Sequence, residues 1–268
     1  MKNHELLMRT VQISPFRTLM TALKDILVDT NIVFDKTGIK IINMDKSHTI
    51  LVHLQLLAEN FEEYYCNRDK ITVGVNMVHL AKLIDSIENT DTLTIYIEKS
   101  SYNDGIVSEL VLKYENGDIK QCKTHTLRLI EPDHEELKVP DVHYTSIINM
   151  PSGDFQRIIR DMGKISDKIE ITSVESELIF KCIGQFACSE TRRAETQGSM
   201  EFVEHDSPSS VVQGEFSLRN LTYFIKCTNL CNQISIYLGN GLPLVVRYDV
   251  ASLGFVQLCL APLPSSNN

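Results

Sequence analysis

The sequence predicts an α+β protein of two similar domains, each an antiparallel β-sheet structure with two helices on one face. Three observations carry that reading. One order of elements is written twice, with an offset of about 140 residues. Most apolar stretches alternate with period two, as half-buried strands do. Only four stretches have helical period.

In the first half a strand is expected at 6–13 and a helix at 16–28, whose Phe16, Leu19, Met20, Leu23 and Leu27 recur at helical spacing. Strands at 30–34 and 39–43 turn at Lys36-Thr37-Gly38, and an alternating strand follows at 49–56. Val73-Gly74-Val75 leads into a helix at 77–87, then strands at 93–97 and 109–114. The second half repeats the order: strand 144–150, helix 153–163, then strands 168–172, 178–182 and 186–192. Gly214-Glu215-Phe216 leads into a helix at 218–227 and strands at 234–238 and 243–248. Glu115-Asn116-Gly117-Asp118 and Gly239-Asn240-Gly241 are hairpin signals. The expected domains are 1–128 and 144–268, joined by an acidic, extended connector at 129–143 that carries Pro132 and Pro140.

The chain has 268 residues, 43% hydrophobic and 23% charged, enough for two cores. No apolar run reaches the roughly 18 residues that span a bilayer. The start, Met1-Lys2-Asn3-His4-Glu5, lacks a signal peptide's apolar core, so a soluble intracellular protein without membrane partners is expected. Seven dispersed cysteines suit reduced thiols. Cys227 and Cys231, four apart, have no histidine at ligand spacing, so no metal is expected.

A net charge of -9 argues against nucleic acid unless positive charge is concentrated. It is concentrated on the helices. The first carries Arg17 and Lys24, the second His79 and Lys82, the third Arg157, Arg160 and Lys164, and the fourth Arg219 and Lys226. One such helix is an ordinary solvated face, and Asp25, Asp85 and Asp161 dilute the signal. Four with the same bias point to phosphate contact that positions without reading sequence.

No nucleotide loop, dinucleotide fingerprint or zinc signature occurs. Ser152-Gly153-Asp154 suits a helix N-terminus better than a nucleophile turn. The pairs Glu62-Glu63 and Glu135-Glu136 would point to opposite faces of an extended chain, a poor geometry for a shared metal. Histidines 48, 53, 125, 134 and 143 have no convincing partners. No catalytic residue and no cofactor are expected.

Several strings resemble the proliferating cell nuclear antigen family, in order along nearly the whole chain. They are Ala22-Leu23-Lys24-Asp25, Asn43-Met44-Asp45-Lys46-Ser47-His48, the segment 61–68 (FEEYYCNR) and Val73-Gly74-Val75-Asn76-Met77. Met150-Pro151-Ser152-Gly153-Asp154-Phe155, with Arg157 and Arg160-Asp161, and Phe216-Ser217-Leu218-Arg219 continue the match. Pro243-Leu244-Val245-Val246-Arg247-Tyr248 and Leu260-Ala261-Pro262 complete it.

The resemblance implies a sliding clamp: three copies closing head to tail around double-stranded DNA, with Arg17, Lys24, Lys82, Arg157, Arg160, Lys164, Arg219 and Lys226 facing it. It implies a subunit interface between a strand at 119–126, with Ile119, Gln121 and Lys123, and one at 186–192, with Phe186, Cys188 and Glu190. It also implies a pocket for a short peptide motif of DNA polymerase, flap nuclease, ligase and clamp loader. That pocket would use Met44, His48, Leu137, Val139, Pro243, Cys259, Ala261 and Pro262.

Departures from the family pattern imply changes. Thr49 and Cys259 replace an apolar residue and a tyrosine, implying a smaller pocket and a shifted peptide preference. Asp85 stands at a position usually basic, Glu175 replaces a lysine used for conjugation, and the tail at 263–268 lacks an acidic end. The expected location is the nucleus, or a viral replication site. The rival readings are a checkpoint-type clamp subunit that assembles only with unlike partners, and a nucleic-acid-modifying enzyme.

Overall fold

The computed structural model describes residues 4–133, 137–139, 142–205 and 211–264. Met1, Lys2, Asn3, His134, Glu135, Glu136, Pro140 and the tail from Ser265, all named above, lie outside the described residues. In chain order the elements begin with β1 (His4–Thr10), α1 (Ile13–Leu23), β2 (Asp29–Asp35), β3 (Gly38–Met44) and β4 (Ile50–Leu57). Next come β5 (Glu63–Cys66), β6 (Lys70–Asn76), α2 (Met77–Asp85), β7 (Thr92–Glu98), β8 (Tyr102–Asn103), β9 (Ile106–Val107), β10 (Glu109–Asn116) and β11 (Gln121–Arg128). The second half runs β12 (Ser146–Pro151), α3 (Ser152–Met162), β13 (Lys168–Val174), β14 (Glu177–Ile183), β15 (Cys188–Ala194), β16 (Glu201–His205) and β17 (Val212–Ser217). It closes with α4 (Leu218–Phe224), β18 (Gln233–Leu238), β19 (Leu244–Val250) and β20 (Gly254–Leu260).

The chain folds into two compact units. The first comprises Met1–Asp45, Val52–Val139 and Val250–Val256, and the second comprises Lys46–Leu51, Pro140–Asp249 and Gln257–Asn268. In the first unit one sheet runs β11-β10-β7-β1-β5, antiparallel throughout, and another group runs β4-β3-β2-β6. In the second unit one sheet runs β15-β14-β13-β17, and β16-β12-β18-β19-β20 forms the other group. The architecture is α+β, mostly antiparallel sheet with few helices, as the alternation of the sequence requires.

Burial follows the two periods. Along β4, Ile50, Val52, Leu54 and Leu56 are buried and the residues between them only partly so. Within α1 the stripe Ile13, Phe16, Leu19, Met20 and Leu23 is buried, and α3 buries Phe155, Ile158, Ile159 and Met162. Each such side chain contributes about 1.5–3 kcal/mol by leaving water. Helix α1 packs on α2, and α3 packs on α4 and the segment after it. No helix among the described residues is long and apolar enough to cross a membrane.

Two expected helices end early. Expected through 28, α1 stops at Leu23 and tightens into a turn, with Asp25 N–H bonded to the Ala22 carbonyl and Ile26 N–H to that of Leu23. Leu27 is buried all the same, which is why the apolar spacing ran on. The helix expected at 218–227 ends at Phe224 and continues as a 3-10 segment, Ile225–Leu230. Strands β5, β8, β9, β16 and β20 are not expected from the sequence. Two of these, EYYC and EFVEH, are short and carry charge; GFVQLCL in β20 alternates and was legible in principle.

Candidate nucleic-acid interface and docking surfaces

The cations expected on the helices divide by element. Arg17, Lys82, Arg157, Arg160 and Arg219 lie within α1 to α4. Lys24, Lys164 and Lys226 do not: they sit in the first residues past α1 and α3 and in the 3-10 segment after α4. This corrects their assignment to the helices, and it changes the direction of each side chain, because a 3-10 turn takes three residues rather than 3.6. Cations just past a helix C-terminus also complement its partial negative charge.

Their surroundings differ. Lys82, Arg157, Arg160, Lys164, Arg219 and Lys226 are exposed, whereas Lys24 and Arg17 are half-buried. The Arg17 guanidinium donates to the Ile87 carbonyl just beyond α2, tying the two helices of the first unit together. Arg157 donates to Asp154 at 2.7 Å and Lys164 to Asp161 at 2.8 Å. The Lys226 ammonium lies 5.4 Å from the centre of the Tyr223 ring. The exposed pairs are weak and can be exchanged for other anions.

The local sequence explains how the helices are set. Asn76 caps α2, its side chain accepting from the His79 N–H at 3.1 Å, and Ser217 caps α4 by accepting from the Asn220 N–H at 3.3 Å. At α3 the Ser152 hydroxyl is buried and donates to the Cys231 carbonyl at 2.6 Å, so it fastens the helix start and takes no nucleophile's position. Among the described residues no three His, Cys, Asp or Glu side chains converge as a metal site.

The two strands named for a subunit interface are both sheet margins. Strand β11 ends the first unit's five-stranded sheet, and β15 ends the second unit's four-stranded sheet. Gln121 and Lys123 on β11 are exposed, as are Cys188 and Glu190 on β15. Ile119 and Phe186 are not strand residues; each lies in the turn before its strand, 63% and 77% exposed. The turn residue Lys120 takes a left-handed backbone, φ 50, which is why the strand starts later than the apolar Ile119 suggested.

The connector begins on the first unit's sheet. The Ile130 N–H bonds the Gly74 carbonyl at 3.0 Å, and a Cβ on Gly74 would come within 2.5 Å of the Ile130 oxygen. Asn31 and Asp133 then exchange two bonds: Nδ2 donates to the Asp133 carbonyl at 2.7 Å, and the Asp133 N–H donates to Oδ1 at 3.0 Å. Beyond them Leu137 lines a groove of 440 Å³ with Val33, Ile42 and Pro132. Leu137 and Val139 are half-buried while Lys138 between them is exposed.

Of the remaining pocket candidates, Met44 belongs to the first unit, and His48, Pro243, Cys259, Ala261 and Pro262 belong to the second. His48 and Ala261 are exposed; Met44, Pro243, Cys259 and Pro262 are half-buried.

Residues 6–136 match the family model described as Proliferating cell nuclear antigen, N-terminal domain, and residues 138–263 match the C-terminal domain of the same family. The chain belongs to the proliferating cell nuclear antigen family. A relative from Paramecium bursaria Chlorella virus 1, named Probable DNA polymerase sliding clamp 1, is 33% identical over 261 residues, 96% of each chain.

Two residues near the candidate pocket are not expected from the sequence. Tyr144 meets Tyr237 edge-on, ring centres 5.7 Å apart. Burial pushes its phenol up to about 12, with the Cys259 thiol adding to the shift, and burial likewise pushes Cys259 up to about 11. A tyrosine thus borders Cys259. The other is Asn220, whose side-chain amide reaches Thr49 from α4 at 3.2 Å. Neither could be found from spacing, because each meets its partner across long sequence separations.

Proposed function

We propose that this chain is a DNA sliding clamp with no catalytic activity: three copies close head to tail around duplex DNA and tether replication proteins to it. The observation that carries this reading is the pair of exposed edge strands, β11 in the first unit and β15 in the second. An unpaired edge is a hazard unless something covers it. Pairing β11 of one copy with β15 of the next covers both edges by a heterologous contact, and a closed ring leaves none exposed.

The cations supply the grip. Long side chains around a wide hole can exchange one phosphate for the next without reading bases, so the ring is held and still slides. DNA polymerase, flap nuclease, ligase and clamp loader dock through a short peptide with one aliphatic and two aromatic plugs, received by Leu137, Val139, His48, Ala261 and their neighbours. The viral source of the relative favours a viral replication site as the place of action.

Light scattering over a dilution series tests the assembly. A species near three times the 30.4 kDa chain is expected. A persistent monomer would contradict the homotrimer and favour a clamp subunit that needs unlike partners.

A further inference from the structure

The loop that presents His48 is fastened to helix α4. His48 adopts a left-handed backbone, φ 54, a region that residues with a Cβ rarely visit. Its exposed side chain packs on no core, so its neighbours must hold it there. Thr49 helps to do so. Its carbonyl accepts from the Ala261 N–H at 3.0 Å, its Oγ1 accepts from Asn220 Nδ2 at 3.2 Å, and its hydroxyl shares a hydrogen with Ser47 Oγ at 2.8 Å. Asn220 is free to reach out because the Ser217 cap uses its backbone N–H and not its side chain.

These bonds join two residues assigned to the peptide pocket, His48 and Ala261, to helix α4, on which Arg219, the residue before Asn220, is assigned to DNA. We propose that Thr49 and Asn220 are positioning residues for partner-peptide binding: they fix the His48 backbone and hold Ala261 beside it. The inference rests on the reading of His48 and Ala261 as pocket residues. It also gives Thr49 a role that an apolar residue at that position could not fill, since the bond from Asn220 needs an oxygen.

Fluorescence anisotropy with a labelled peptide carrying an aliphatic residue followed by two aromatics tests it. Thr49→Val keeps the volume and removes the acceptor, and Asn220→Ala removes the donor. Asn220→Ala is expected to weaken the peptide on the order of fivefold, the effect of one lost hydrogen bond, and Thr49→Val at least as much, since it also loses the bond with Ser47. Thr49→Ser keeps the oxygen and should stay within about twofold. The double variant Thr49→Val with Asn220→Ala should be no weaker than Thr49→Val alone, because the Asn220 bond is already lost in it. The His48 imidazole NMR signals should shift alike in both single variants and stay put in Thr49→Ser. Wild-type affinity in both single variants would overturn the proposal while leaving the pocket intact. A wild-type protein that binds no such peptide would instead overturn the pocket reading, and this inference with it.

Discussion

Arg193 on β15 donates to Asp154 in the first turn of α3 at 2.6 Å, both side chains mostly buried at 29% and 22% exposure. The same carboxylate also holds Arg157 at 2.7 Å. One acid therefore links the edge strand assigned to the subunit contact with a cation assigned to DNA. Asp154→Asn should act in opposite directions on two properties. Losing the pair and the favourable charge at a helix start should cost about 1 kcal/mol in urea unfolding. Releasing Arg157 should strengthen DNA binding at low salt and steepen its salt dependence, read by anisotropy on a duplex.

Arg160 and Arg219 are exposed on α3 and α4. Replacing both by glutamine should reduce the slope of log affinity against log salt by roughly 2, one counterion for each phosphate contact. The assembly mass should not change. An unaltered slope would remove these two arginines from the DNA-facing set.

Glu5 is buried in β1 and accepts from Asn67 Nδ2 at 3.0 Å and Arg68 Nε at 3.1 Å. Burial alone would raise its carboxyl, but the bonds from Asn67 and Arg68 outweigh that and hold it below the ordinary value. A depressed folded value means stability that is present above the unfolded value, about 4.3, and is lost as pH falls through the folded one. Glu5→Gln should therefore cost about 1–3 kcal/mol at neutral pH. The gap from wild type, measured by urea unfolding, should narrow as pH falls from about 5 towards 3.

Gly74 admits the start of the connector by lacking a side chain, since an added Cβ would strike the Ile130 and Glu131 carbonyls at 2.5 and 2.9 Å. Gly74→Ala should push the connector off β6 while leaving the buried Val73 and Val75 in place. Limited proteolysis should then cut within 129–139 faster than in wild type. Unchanged cleavage would show that the connector is held elsewhere.

Much of the architecture was legible because burial obeys simple periods. The alternation in β4 and the stripes of α1 and α3 name their own buried faces. Helix ends were less legible, since Leu27 and Cys227 are buried beyond the last α-helical residue and extend the stripe. Lys24 and Lys226 stand on those extensions and not in the α-helices themselves. The candidate sites came mainly from family resemblance. Contacts such as Asn31 with Asp133, 102 residues apart, and Thr49 with Asn220, 171 apart, leave no periodic trace. Exposure of the β11 and β15 edges likewise depends on sheet order, which period alone does not give.

The most direct test of the clamp is topological. The protein is incubated with linear duplex, both ends are then capped with a bulky protein, and the DNA is washed at a salt concentration that screens phosphate contacts. A ring is predicted to remain on the capped duplex and to leave when a restriction cut opens one end. Loss before the cut, or equal retention after it, would contradict encirclement and the account built on it.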